Sequence, residues 1–168
     1  ASGLMGVGRL LEPVQLIGHI RTALGRNGDL AGRKVVVSAG GTQEPVDPVR
    51  VITNRSSGKM GYAVAEAARD RGASTVLVSA PTALPDPVGV RVVRVGTAEE
   101  MRKAVNKECR DGDVVIMAAA VADWRPVNEA GRKIKKTASE ALSIQLTKNA
   151  DILAEFDMET LVKVGFAA

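Results

Sequence analysis

From Arg33 onward, short and almost wholly apolar runs alternate with longer stretches whose apolar positions recur at helical spacing. That alternation is the pattern of a parallel sheet covered by helices on both faces. Residues 34–38 (KVVVS), 74–79 (STVLVS), 90–95 (VRVVRV), 114–118 (VVIMA) and 161–166 (LVKVGF) are rich in β-branched side chains and are predicted as strands. An Ala-rich helix is predicted from near Gly58 to a stop at Gly72. Thr97-Ala-Glu-Glu100 has the spacing of a capping box and opens a second helix to about Cys109. Upstream, Glu12-Pro13 opens a helix with Val14, Ile17, Ile20, Ala23 and Leu24 on one face and Gly25 as its stop. Residues 142–147 (LSIQLT) alternate like a strand with one wet face, and Asn149 is predicted to cap a short helix through Phe156. The fold class predicted is α/β: a Rossmann-like, mostly parallel sheet with helices on both faces, plus a small strand element.

Composition narrows the chemistry. Only four of 168 residues are aromatic while 45% are apolar, so one core must be packed from Val, Ala, Leu and Ile. A net charge of +4 on a 25% charged chain is ordinary for a globular domain. The single Cys109 rules out an internal disulfide, and the single His19 cannot assemble a structural zinc site or sit near any serine motif. Both are assigned structural roles within helices. No apolar run approaches the roughly 18 residues of a membrane span, and the N-terminus lacks a basic-then-apolar layout. A cytoplasmic protein without a membrane partner is expected.

Three polar loops stand out, the first and third directly after strand ends, where ligands bind in sheets of this kind. The first, residues 39–50 (AGGTQEPVDPVR), begins with Gly40-Gly41, which is either an ordinary turn or a close backbone approach to a ligand. The second, residues 52–61 (ITNRSSGKMG), leads into the Ala-rich helix with two hydroxyls and a lysine; it is either a capped helix start or a phosphate seat. It is not a Walker A loop, because Met60 follows Lys59 and Thr53 stands where the leading glycine belongs. The third, residues 118–126 (AAAVADWRP), offers small residues with space for a flat ligand, and Asp123, either a helix cap or a contact to ribose or metal-phosphate. Trp124 either lines a pocket or anchors its loop. Arg132, Lys133, Lys135 and Lys136 follow as four cations in five residues, either a solvated loop or an anion clamp. Together the four signals outfit one cleft for a polyphosphate.

Residues 38–50, 52–61, 118–126 and 133–136 match, in order and spacing, the motifs of phosphopantothenate-cysteine ligase, and residues 33–168 resemble that family throughout. In bacteria the family is usually the C-terminal half of a bifunctional protein of coenzyme A biosynthesis, whose other half is a flavin-dependent decarboxylase. The resemblance implies that CTP activates 4'-phosphopantothenate as an acyl-cytidylate with release of pyrophosphate, and that cysteine then displaces CMP. It implies Mg2+, with ligands unassigned, a homodimer or higher homo-oligomer in which the 142–147 strand element takes part, and FMN only in the decarboxylase half. Carried over by position, Asn54 and Lys133 are catalytic. Gly40, Gly41, Ser56, Asp123, Lys133, Ala150, Asp151, Ile152, Leu153 and Phe166 bind nucleotide, while Arg50 and Asn54 bind phosphopantothenate. Residues 1–13 resemble the tail of the decarboxylase half, so residues 1–30 are expected to be tail and linker helix and residues 31–168 the ligase domain. Two departures stand out: Ala150 replaces the family's proline, and the chain ends at Ala168 where the family continues. A truncated domain with weak or no activity of its own is therefore expected.

Rival readings are weaker. A Rossmann-type dehydrogenase needs G-x-G-x-x-G and an acidic residue ending the second strand, where Val78-Ser79-Ala80-Pro81 stands instead. A nucleic-acid-binding module, suggested by the basic balance, lacks aromatics for base stacking, and +4 is modest for a phosphate-backbone binder. A nucleotide-binding or assembly fragment without activity remains the alternative.

Overall fold

A computed structural model describes residues 10–135, 142–156 and 160–166. Its elements run α1 (Pro13–Gly25), β1 (Lys34–Ala39), β2 (Gln43–Asp47), β3 (Arg50–Thr53), α2 (Lys59–Asp70), β4 (Ser74–Ser79), β5 (Arg91–Arg94), α3 (Ala98–Glu108), β6 (Val114–Met117), β7 (Trp124–Pro126), β8 (Leu146–Lys148) and β9 (Val162–Gly165). Five strands form one parallel sheet in the order β5-β4-β1-β6-β9. Strand order reverses between β4 and β6 on either side of β1, which makes the carboxyl end of β1 a topological switch point.

Period-2 alternation supplies both cores from the same strands. Val35, Val37 and Leu77 pack with Tyr62, Ala65 and Ala68 of α2 on one face. Val36, Val76, Val78 and Val115 pack with Met101, Val105 and Cys109 of the α3 segment on the other, joined by Ile152, Phe156 and Leu161. Burial raises the Cys109 thiol to about 11, so it stays protonated as an apolar filler. His19 lies exposed on α1.

Helix α2 lies close against the sheet because Gly61 has no side chain: a Cβ there would stand 2.6 Å from both the Ala39 Cβ and the Ser38 carbonyl oxygen. Helix α3 begins as its sequence predicts. Thr97 Oγ1 accepts from the Glu100 amide at 3.2 Å, and Glu100 Oε2 accepts from the Thr97 amide at 3.3 Å.

Three expectations differ from what the structure shows. Residues 39–50 are not a plain loop, since β2 and β3 pair as an antiparallel hairpin with a bulge between Pro45 and Asp47. Of residues 142–147, only the last two belong to a strand: β8 covers Leu146–Lys148 and pairs with β7. Residues 152–155 form turns rather than a capped helix, because Asp151 Oδ1 takes the amides of Leu153 and Ala154 at 3.1 Å each. The apolar face of α1 is also largely uncovered, with Val14 76% and Leu24 81% exposed.

Candidate functional site

The loop after β6, residues 118–123, is the centre of the site, and side chains from several other segments hold its backbone. Ser38 Oγ, at the buried end of β1, accepts from the amides of Ala118 and Ala119 at 3.1 Å each. Gly40 and Thr42 continue the clasp, the Ala120 amide donating to the Gly40 carbonyl and the Thr42 amide to the Ala120 carbonyl. Thr42 Oγ1 accepts from the Ala122 amide at 2.9 Å. Asn54 Nδ2 donates to the Val121 carbonyl at 3.1 Å, and Asn149 Nδ2 to the Ala122 carbonyl at 2.7 Å. Irregular backbone at this depth needs such partners, and here polar side chains supply them.

Gly40 carries φ +82°, and a Cβ there would stand 2.8 Å from the Ala80 carbonyl oxygen. Only glycine fits both the dihedral and the space. Gly41 sits equally tight, where a Cβ would meet the Asn54 carbonyl oxygen at 2.6 Å.

Against this loop opens a cleft of about 550 Å³. Asp123, Ala150, Asp151, Ile152, Leu153 and Phe166, six of the residues expected to bind nucleotide, all line it. Phe166 is 52% exposed and lies at the carboxyl end of β9, its amide donating to the Met117 carbonyl. Trp124 forms part of the wall, with the Lys148 ammonium 5.7 Å from its ring centroid, within cation–π range. Phe166 also borders a second cavity of about 270 Å³, lined by Ser56, Ser57, Gly58 and Lys59 at the start of α2. The aromatic edge of one cavity is therefore the doorway to a helix N-terminus, where aligned amides favour an anion. The serine hydroxyls already receive two of those amides, Gly58 to Ser56 at 3.3 Å and Lys59 to Ser57 at 3.5 Å.

Arg50 and Lys133 are placed elsewhere. Neither lines these two cavities; both belong to a junction between the β2–β3 hairpin and residues 130–134. Asp47 is buried there, and the Arg50 guanidinium beside it, with the amides of Ile134 and Val49, holds its carboxyl well below the usual carboxylate range. Lys133 is exposed, and Lys136 lies outside the described residues.

Ser38, Thr42, Glu44 and Asp47 were not singled out from the sequence as site residues. Glu44, 1% exposed, accepts the Ala98 amide at 2.8 Å and so ties the hairpin to the N-terminus of α3. The available signal was a polar residue ending or following an apolar strand, as in the serine of KVVVS and the threonine after the paired glycines.

Residues 30–168 match the family described as DNA/pantothenate metabolism flavoprotein C-terminal domain. The chain is 51% identical over 154 residues to the coenzyme A biosynthesis bifunctional protein CoaBC of Mycolicibacterium smegmatis, an alignment covering 89% of this chain and 37% of that protein. It is 46% identical to the protein of the same name from Vibrio cholerae, over 100% of this chain and 43% of that one. The chain thus spans about two fifths of the length of these curated relatives. Among solved structures, the C-terminal domain of a CoaBC protein superposes with a TM-score of 0.70 at 43% identity, covering 82% of this chain and 65% of that one. A Cab2 variant in complex with phosphopantothenate-cysteine shares the fold, with a TM-score of 0.66 at 15% identity, over 89% of this chain and 67% of that one.

Proposed function

Because the chain belongs to the DNA/pantothenate metabolism flavoprotein C-terminal domain family, we propose that it carries the phosphopantothenate-cysteine ligase activity of coenzyme A biosynthesis and that CTP drives it. The observation that carries this reading is the convergence of Asp123, residues 150–153 and Phe166 on one cleft, whose rim leads to the start of α2. A base stacked on Phe166, with its edge along residues 150–153, directs a triphosphate towards Ser56 and Lys59.

In the first step a carboxylate oxygen of 4'-phosphopantothenate attacks the α-phosphorus of CTP and pyrophosphate leaves. In the second, the amine of cysteine attacks the acyl carbon, the carbon–oxygen bond to the cytidylate breaks and CMP departs with that oxygen. Both reactants of the first step are anions, so the protein's work is positioning and charge cancellation. Lys133 supplies positive charge at the α-phosphate, and Arg50 holds phosphopantothenate. Asn54, already aimed at the 118–123 loop, hydrogen-bonds the acyl-cytidylate. Asp123 and Asp151, which both line the cleft, would hold Mg2+ with phosphate and water completing its shell, since Mg2+ typically takes one or two carboxylates, and the ion would supply charge neutralisation there.

The bifunctional relatives support a wider reading in which residues 1–30 join the ligase domain, residues 31–168, to a decarboxylase half that carries FMN. The working protein is then a cytoplasmic homodimer. Pyrophosphate release by the full-length protein with phosphopantothenate and each nucleotide in turn, cysteine withheld, tests the central assignment. Release with CTP and little with ATP is expected; equal release with both removes the cytidine preference, and none with either removes the reaction.

A further inference from the structure

Asp47 stands at the corner of the β2–β3 hairpin, yet it is only 1% exposed and five donors converge on its carboxylate. Its Oδ1 accepts from the amides of Val49 and Arg50 at 3.0 Å each, which is all that a tight turn requires. Its Oδ2 is committed differently, to Arg50 Nε at 3.0 Å, to Arg50 Nη2, and to the amide of Ile134 at 3.0 Å. Arg50 Nη2 closes the ring by donating to the Ile134 carbonyl at 3.0 Å. One ion pair therefore grips the main chain on both sides of Ile134, directly after Lys133. A further tie, from the Ala130 amide to the Val46 carbonyl at 3.0 Å, holds the same segment upstream.

This arrangement answers a physical difficulty. Arg132, Lys133 and Lys135 are exposed like charges that repel one another, and such a run has no reason to keep any one ammonium in a fixed place. A carboxylate taken out of water is costly unless its lone pairs are filled, and here the filling groups are the two whose placement matters.

We propose that Asp47 is a positioning residue for the ligation reaction. Its Oδ2 sets the Arg50 guanidinium and the Ile134 main chain in one frame, and so fixes the point from which the Lys133 ammonium reaches the substrate. The inference rests on the roles given above to Lys133 and Arg50.

Asp47→Asn separates the two halves of the carboxylate. One acceptor remains for the turn amides, while an amino group stands where Ile134 and Arg50 now donate. In the full-length protein, kcat for phosphopantothenoylcysteine formation should fall about tenfold or more, and KM for phosphopantothenate should rise by a similar factor. KM for CTP should stay within about twofold, because the cleft against Phe166 holds the nucleotide while the Lys133 charge counts at the α-phosphate only as it is attacked. Adding Asp47→Asn to Lys133→Gln should lower kcat no further. Hydrogen exchange at the Ile134 amide should be slow in the wild type and about tenfold or more faster in Asp47→Asn.

Additive losses, or KM for CTP rising in step with the rest, overturn the proposal in favour of general damage. If Asp47→Asn does not fold, the wild type still decides: an Ile134 amide exchanging at its unprotected rate means that no brace exists. Wild-type protein inactive with CTP overturns the functional reading and with it any role of Asp47 in ligation. An active wild type with an unaffected Asp47→Asn overturns the role of Asp47 alone.

Discussion

Ser38 and Thr42 are fully buried hydroxyls, and each takes main-chain amides of the 118–123 loop. They show that some of the motif residues serve to hold the loop. Asn54 holds the loop as well: its amide nitrogen is spent on the Val121 carbonyl at 3.1 Å, while its side-chain oxygen has no such tie among the described residues. Replacing it by Asp removes that donor and sets a negative charge beside the 118–123 loop. We therefore expect Asn54→Asp to release pyrophosphate from CTP and phosphopantothenate yet stall before amide formation. Lys133→Gln should suppress both steps, since the role proposed for its ammonium lies in the first. Quenched-flow measurement of pyrophosphate and of product separates the two, and equal pyrophosphate yields from Lys133→Gln and wild type would remove the role assigned to that lysine. Asn54 and Lys133 stand out in the sequence through the motif that each belongs to, a polar loop before the Ala-rich helix and a run of cations; the holding roles of Ser38 and Thr42 do not, because they depend on partners some 80 residues away.

At the scale of elements, local chemistry decides what can be read in advance. The strands of the main sheet are legible because burial on both faces leaves an unbroken apolar run, and α3 is legible because its capping box is local. The β2–β3 hairpin is not. Pro45 and Pro48 suggest loop, yet among the described residues β2 pairs only with β3, an edge position where a missing N–H is tolerated. The stretch after Asn149 misleads in the other direction, because Asp151 satisfies its own following amides and needs no helix. That turn is joined to α3 through Arg102, which pairs with Glu99 and with Glu155. Arg102, with Lys103 behind it, lowers the Glu99 carboxyl from 4.5 to about 2. A carboxyl depressed in the folded state adds stability that is fully present above pH 4.5 and is lost as pH falls towards 2. The pair is only partly buried and solvent screens it, so its worth is about 0.5 kcal/mol. Glu99→Gln should lower stability by about that amount at pH 7 and flatten its decline between pH 4.5 and 2, which urea melts across that range would detect; identical pH profiles would mean that the pair contributes nothing.

For the molecule as a whole, the sheet order explains why loops far apart in sequence share one site. Ends of β1, β6 and β9 lie side by side at the carboxyl edge, so the AGGT, AAAVAD and Phe166 segments meet there by topology. The general location was therefore readable from the strand pattern. The separation between the cleft and the Arg50–Lys133 junction was not, since it arises from the hairpin standing off the main sheet. Among the described residues, no helix is long and apolar enough to cross a membrane. The central claim is that a carboxylate oxygen of phosphopantothenate becomes bonded to the α-phosphorus of CTP before cysteine arrives. Phosphopantothenate labelled with oxygen-18 in its carboxylate tests it most directly when the products of one turnover of the full-length protein are weighed by mass spectrometry. The account predicts one labelled oxygen in CMP and none in pyrophosphate; unlabelled CMP alongside product formation contradicts it.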